Sequence, residues 1–196
     1  MNLNDTVLDM IILYVRAIKE NRGVIIGKSD GKTIEIHNAK YLLNQTIRQV
    51  GIPKDKYMIS EAAQNKWAEI TDESIEKYFY QEKVVCTNDG PITIDLYRGN
   101  EKESHTTREL KKGDSFNYRE VFSNEHMIPV SMLIDKLISF DDLSYKNILE
   151  TLDSIHICRL LKSEDKRIKR KSKRSLILDE VIRIYYEGIT IVGYKY

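Results

Sequence analysis

The chain predicts an α+β fold, and three observations carry that reading. Residues 5–21 repeat apolar side chains at helical spacing, residues 83–98 alternate in the manner of strands, and residues 130–139 return to the helical period. At 196 residues and 41% hydrophobic, the chain can bury a real core, which excludes disorder as the default. The length suits one domain of moderate size or a core with a modest extra lobe. The change of pattern near residue 80 divides it into a mainly helical N-terminal region, 1–80, and a strand-plus-helix region, 81–196.

Taken in order, Asp5 is the expected cap of the first helix, whose stripe is Leu8, Ile11, Ile12, Val15 and Ile18. Gly23 ends it, and residues 23–38 read as a short hairpin turning at Ser29-Asp30-Gly31. A helix over 38–50 stops at Gly51-Ile52-Pro53, and Ser60 caps another that carries Ala62, Ala63 and Trp67. This helix–break–helix reads either as two ordinary packed helices or as a weak helix-turn-helix. Residues 83–87 and 91–99 are expected strands, separated by Asn88-Asp89-Gly90-Pro91. A polar stretch to about residue 115 is expected as a loop, and residues 115–122 alternate again. A helix over 130–139 packs through Val130, Leu133, Ile134, Leu137 and Ile138. Another starts near Ser144 or Asn147 and runs to about Lys162. A helix over 175–187 and a strand over 188–196 close the chain.

Charged residues make up 31%, yet the net charge is +1, which excludes a uniformly basic DNA-coating protein but not one basic face. Cys86 and Cys158 are far apart and form no CxxC pair, so neither a disulfide framework nor a zinc knuckle is expected. The N-terminus has no basic region ahead of its short apolar stretch, and no run approaches the roughly 18 apolar residues of a membrane span. A soluble, cytoplasmic protein is the expectation.

One segment carries chemistry. Glu125-His126-Met127-Ile128-Pro129-Val130-Ser131 sits at the end of an expected strand, followed by Asn147 and then by His156 nine residues further on. A carboxylate can hold a hard divalent cation while a neighbouring imidazole takes a proton from water. Adjacent residues on a strand point to opposite sides, so the strand must end or twist if both serve one site. Each residue also has an ordinary reading. His156 lies among Ile148, Leu149, Leu152 and Ile155 as a core histidine would, Glu125-His126 reads as a surface dipeptide, and Asn147 as a helix-terminus residue. It is the ordered combination that points to catalysis.

That combination resembles the HNH (ββα-metal) endonucleases, over roughly residues 114–165. EHMIPVS is similar to the family's DHIxPxS segment, and NILETLDSIHICRLLK to its N-L…H…K segment. The resemblance implies a ββα-metal core flanked by the N-terminal helical lobe and the C-terminal helix and strand. It makes His126 the general base, Asn147 the residue that orients it, and Glu125 and His156 the ligands of a divalent metal, Mg²⁺ or Mn²⁺. The family's cysteine pairs are absent, an apolar helix replaces its glycine-rich loop, and Leu160 stands where a third ligand is usual. Water and phosphate would then complete the coordination, which suits Mg²⁺ better than a closed zinc site. Nine residues of straight helix turn through roughly 900°, so Asn147 and His156 serve one site only if Asn147 precedes or caps the helix.

The basic residues Arg159, Lys162, Lys166, Arg167, Lys169, Arg170, Lys171, Lys173 and Arg174 are the candidate DNA contacts, or else a solvated helix end interrupted by Glu164 and Asp165. The resulting expectation is a DNA endonuclease of restriction or phage type, with a homodimer a natural form for cutting both strands. The rival readings are a DNA-binding regulator without catalysis and a protein-interaction or inhibitor module.

Overall fold

The computed structural model describes residues 3–21, 38–78, 82–97, 105–168 and 176–194; between 22 and 37 it describes only the backbone of four short strands. The chain forms two units, each assembled from separate segments. The first comprises Met1–Lys56, Ile128–His156 and Arg174–Glu180, and the second Tyr57–Met127, Ile157–Lys173 and Val181–Tyr196. The segments pass between the units at these points, whereas the sequence pattern changes near residue 80.

The first unit is a helical layer. In α1 (Asp5–Lys19), Leu8, Ile11 and Val15 are buried at helical spacing, and the cap is Asn4, whose side chain accepts from the Val7 amide at 3.0 Å. Four two-residue strands follow: β1 (Val24–Ile25), β2 (Lys28–Ser29), β3 (Lys32–Thr33) and β4 (Ile36–His37). β1 pairs with β4 and β2 with β3, both antiparallel, as in the expected hairpin. Its turn residues Asp30 and Gly31 lie outside the described residues. Asn38 caps α2 (Ala39–Gln49), which buries Leu43 and Ile47. α5 (Val130–Ser139) buries Val130, Leu133, Ile134 and Leu137, and α6 (Tyr145–Asp153) buries Ile148 and Leu152. α1 packs on α2, α5 and α6, and α5 packs on α2 and α6, so the four apolar stripes share one core.

The second unit opens with β5 (Tyr57–Ile59) and α3 (Glu61–Ile70), capped by Ser60 as its sequence predicts. The strand between α2 and α3, and the assignment of these helices to different units, remove the helix-turn-helix reading. Next come β6 (Lys83–Val85), β7 (Ile92–Tyr97), β8 (His105–Leu110), β9 (Ser115–Asn117), α4 (Tyr118–Val121) and β10 (Phe122–His126). β7 pairs with β8 and β6 with β9. Their inward residues, among them Val84, Ile94, Leu110 and Phe116, share a core with Trp67, Tyr118 and Phe122. The Trp67 and Phe122 ring centroids lie 5.5 Å apart, edge to face, and Tyr118 stacks on Phe122 at 5.2 Å.

A three-stranded sheet in the order β10–β11–β5 completes the unit, followed by α7 (Lys162–Asp165) and α8 (Leu178–Tyr185). Here three expectations change. The helix expected to reach Lys162 ends at Asp153, and Ile157–Leu161 is the central strand β11, antiparallel to β10 and parallel to β5. A strand buried on both faces reads as a continuous apolar run, which periodicity does not separate from a buried helix. The polar stretch expected as a loop contains β8, whose residues are exposed except Leu110; backbone pairing with β7 holds it without apolar alternation. The final strand is reduced to one bridge, Ile191 with Ser60, among the described residues. No described helix is long and apolar enough to cross a membrane.

Candidate active site

Glu125 and His126 are the last two residues of β10, and both remain in the ladder. Glu125 pairs with Cys158 and His126 with Ile157. The ladder is continuous through them, so their side chains leave opposite faces of the sheet.

The Glu125 face is acidic. Cys158 sits across from the half-buried Glu125, and burial first, then the charges of Glu164 and Glu125, push its thiol well above the ordinary range. On α7, Asp165 accepts a hydrogen bond from the Ser123 hydroxyl at 3.3 Å. Glu164, 4% exposed, accepts from the Ser60 hydroxyl at 2.5 Å and from the Leu161 amide at 3.0 Å, while the Arg167 guanidinium stands 3.9 Å away. These acids are occupied with fastening α7 to the sheet and to the start of α3.

The His126 face holds a different set. Asn124, two residues before His126, accepts from the Tyr118 hydroxyl at 2.9 Å. Across from Asn124 is Arg159, diagonal to His126 in the register. Its guanidinium lies 4.7 Å from the centre of the Tyr57 ring. His126 and Arg159 are 9% and 5% exposed, an unusual degree of burial for such residues.

The other two residues of the expected constellation belong to the first unit. Asn147 does not precede α6 but lies inside its first turn, where Ser144 is the cap. Its side-chain oxygen accepts from the Ser144 amide at 3.2 Å and from the Ser144 hydroxyl, closing a reciprocal capping box. His156 is not on a helix; it sits in the link between α6 and β11, with Nδ1 3.0 Å from the Ser154 carbonyl oxygen. The geometric condition set by the sequence, Asn147 ahead of a helix that bears His156, is therefore not met.

Among the described residues no group of three or more His, Cys, Asp or Glu side chains comes together to hold a metal. The two expected ligands, Glu125 and His156, belong to different units.

The basic run divides as well. Arg159 is a buried sheet residue, and Lys162 is half-buried at the start of α7. Lys166 is exposed and lies 4.1 Å from the centre of the Tyr97 ring, and Arg167 is exposed beside Glu164. Lys169, Arg170, Lys171, Lys173 and Arg174 lie outside the described residues. Tyr185 and Tyr186 are core residues, 2% and 1% exposed. Sequence reasoning overlooked Asn124 and Tyr57, and took the acids of α7, Glu164 and Asp165, only as a break in the basic run. The signal for the acids was available, since Lys-Ser-Glu-Asp interrupts a basic run directly after an apolar stretch. Compared with family models, with curated proteins and with solved structures, the chain gives no significant match.

Proposed function

We propose that the chain is a metal-dependent DNA endonuclease of the ββα type that acts through His126. The observation that carries this reading is the arrangement around β10. β10 and β11 pair antiparallel, α7 follows β11 directly and packs on both strands, and the Glu125-His126 pair ends the first strand. That strand end is where the HNH resemblance requires its base. In this reading the neutral His126 imidazole takes the proton of the water that attacks phosphorus. The Arg159 guanidinium, held against Tyr57, keeps a fixed positive charge on the same face, where negative charge develops on the phosphate oxygens. Asn124 offers an amide alongside them. The Mg²⁺ or Mn²⁺ requirement comes from the resemblance alone, while proton transfer and charge stabilisation belong to the protein's own groups.

Supercoiled plasmid incubated with the full chain tests the reading. Nicked or linear product with Mg²⁺ or Mn²⁺, absent with EDTA, is the expected result; plasmid left intact with every divalent metal overturns it. The placement of Glu125 and His126 on opposite faces favours a second reading, a DNA-binding protein without catalysis. It predicts oligonucleotide binding that EDTA leaves unchanged, with no cleavage under any condition.

A further inference from the structure

Within the second unit, α3, β7 and the start of α7 border an open cleft of about 130 Å³. Its polar rim is Lys66 from α3, Thr93, Asp95 and Tyr97 from β7, and Lys162 and Ser163 from α7. On β7 the side chains of Thr93, Asp95 and Tyr97 share one face, since they are two residues apart.

Lys66 is ion-paired with Glu69, while other rim groups are uncommitted among the described residues. The Lys66 ammonium has three N–H bonds; one meets Glu69 at 2.5 Å and one the Thr93 carbonyl at 3.2 Å, which leaves a third. Lys162 forms no ion pair among the described residues, and neither the Ser163 nor the Thr93 hydroxyl has a partner there. Lys166 extends the positive charge beyond the rim, across the Tyr97 ring. The one acid, Asp95, is partly engaged: Thr107 donates to it at 3.0 Å, and His105 Nε2 lies 3.8 Å away. Two ammonium groups, one of them paired with Glu69, and two hydroxyls from three separate elements thus border the cleft. A compact, singly charged oxyanion matches that chemistry.

We infer that this cleft seats a backbone phosphate of DNA, with Lys66 and Lys162 as its charged contacts and Ser163 and Thr93 as hydroxyl donors. The inference takes its partner from the nucleic-acid reading above but needs no catalysis. A contact to a backbone phosphate fixes the register of the duplex on the protein rather than reading its sequence.

Fluorescence anisotropy of the full chain with a labelled DNA duplex, in EDTA and across a salt series, tests it. Each ammonium on a phosphate contributes about one to the slope of log affinity against log salt. Lys66→Gln and Lys162→Gln are each expected to reduce the slope by about one, and the double variant by about two. Asp95→Asn is expected to tighten binding, and Lys146→Gln, on the exposed face of α6, to leave the slope unchanged. Should Lys66→Gln fail to fold, Lys162→Gln and Asp95→Asn decide alone. Slopes equal to the wild type, a Lys146→Gln loss as large as that of Lys162→Gln, or a wild type that binds no duplex would each overturn the inference. Reduced slopes with no plasmid cleavage would keep the cleft and refute the nuclease; cleavage with unchanged slopes would do the reverse.

Discussion

Ser60 is fully buried and serves two partners at once. Its hydroxyl caps α3 by accepting from the Ala63 amide at 3.1 Å, and it donates to the carboxylate of Glu164. Alanine there removes a helix cap and leaves a buried acid short of a donor, so Ser60→Ala is expected to destabilise the fold by about 2–3 kcal/mol, read from urea unfolding. Tyr145 gives a pH-dependent counterpart. Its hydroxyl bonds to Asp9; that bond, then burial, then the charges of Asp9 and Asp5 push the phenol from 10.0 up to about 12. The folded chain therefore holds this proton more tightly than the unfolded chain does. The stabilisation is complete below pH 10 and is lost as pH rises toward 12. Thermal unfolding of wild type and Tyr145→Phe should differ at neutral pH and converge across that window; a constant gap would contradict the assignment. Cys158 and Cys86 are both buried, and the Cys158 thiol is held protonated by burial and by neighbouring acids. A thiol reagent is expected to label neither in the native chain and both in urea.

At the scale of elements, what can be read from the sequence depends on where an element buries its side chains. α1, α2, α3 and α5 lie half in and half out of a core, so their apolar residues recur every three or four positions; the Ser60 cap was legible, whereas Asn4 caps α1 in place of the expected Asp5. β11 buries both faces, and Ile157–Leu161 carries no period that separates strand from helix. β8 has the opposite difficulty, because its threonines and charges carry no apolar alternation. Backbone ¹³Cα shifts decide the central case. Helical values over Tyr145–Asp153 followed by strand values over Ile157–Leu161 are expected; helical values through Leu161 would restore the longer helix and remove the sheet that frames His126.

At the scale of the molecule, the candidate site was legible only in part. Glu125-His126 at a strand end could be anticipated from EHMIPVS and its surroundings, whereas the partner strand β11 was expected as helix. Which side chains share a face could not be anticipated, because it depends on strand alternation. Alternation sends Glu125 and His126 to opposite faces, while Asn147 is used by its own helix cap and His156 stays in the first unit. The proposed chemistry therefore lies on the His126 face, and Asn147 has a structural task. Plasmid cleavage with Mg²⁺ or Mn²⁺ by wild type, His126→Ala and Asn147→Ala, each checked for folding by circular dichroism, separates the two roles. Wild type should cleave, and His126→Ala should cleave at least a hundredfold less, about the lower end of what a general base contributes. Asn147→Ala should retain cleavage at a cost of about 1 kcal/mol in stability. Cleavage that survives in His126→Ala, or no cleavage by the wild type, would refute catalysis through His126.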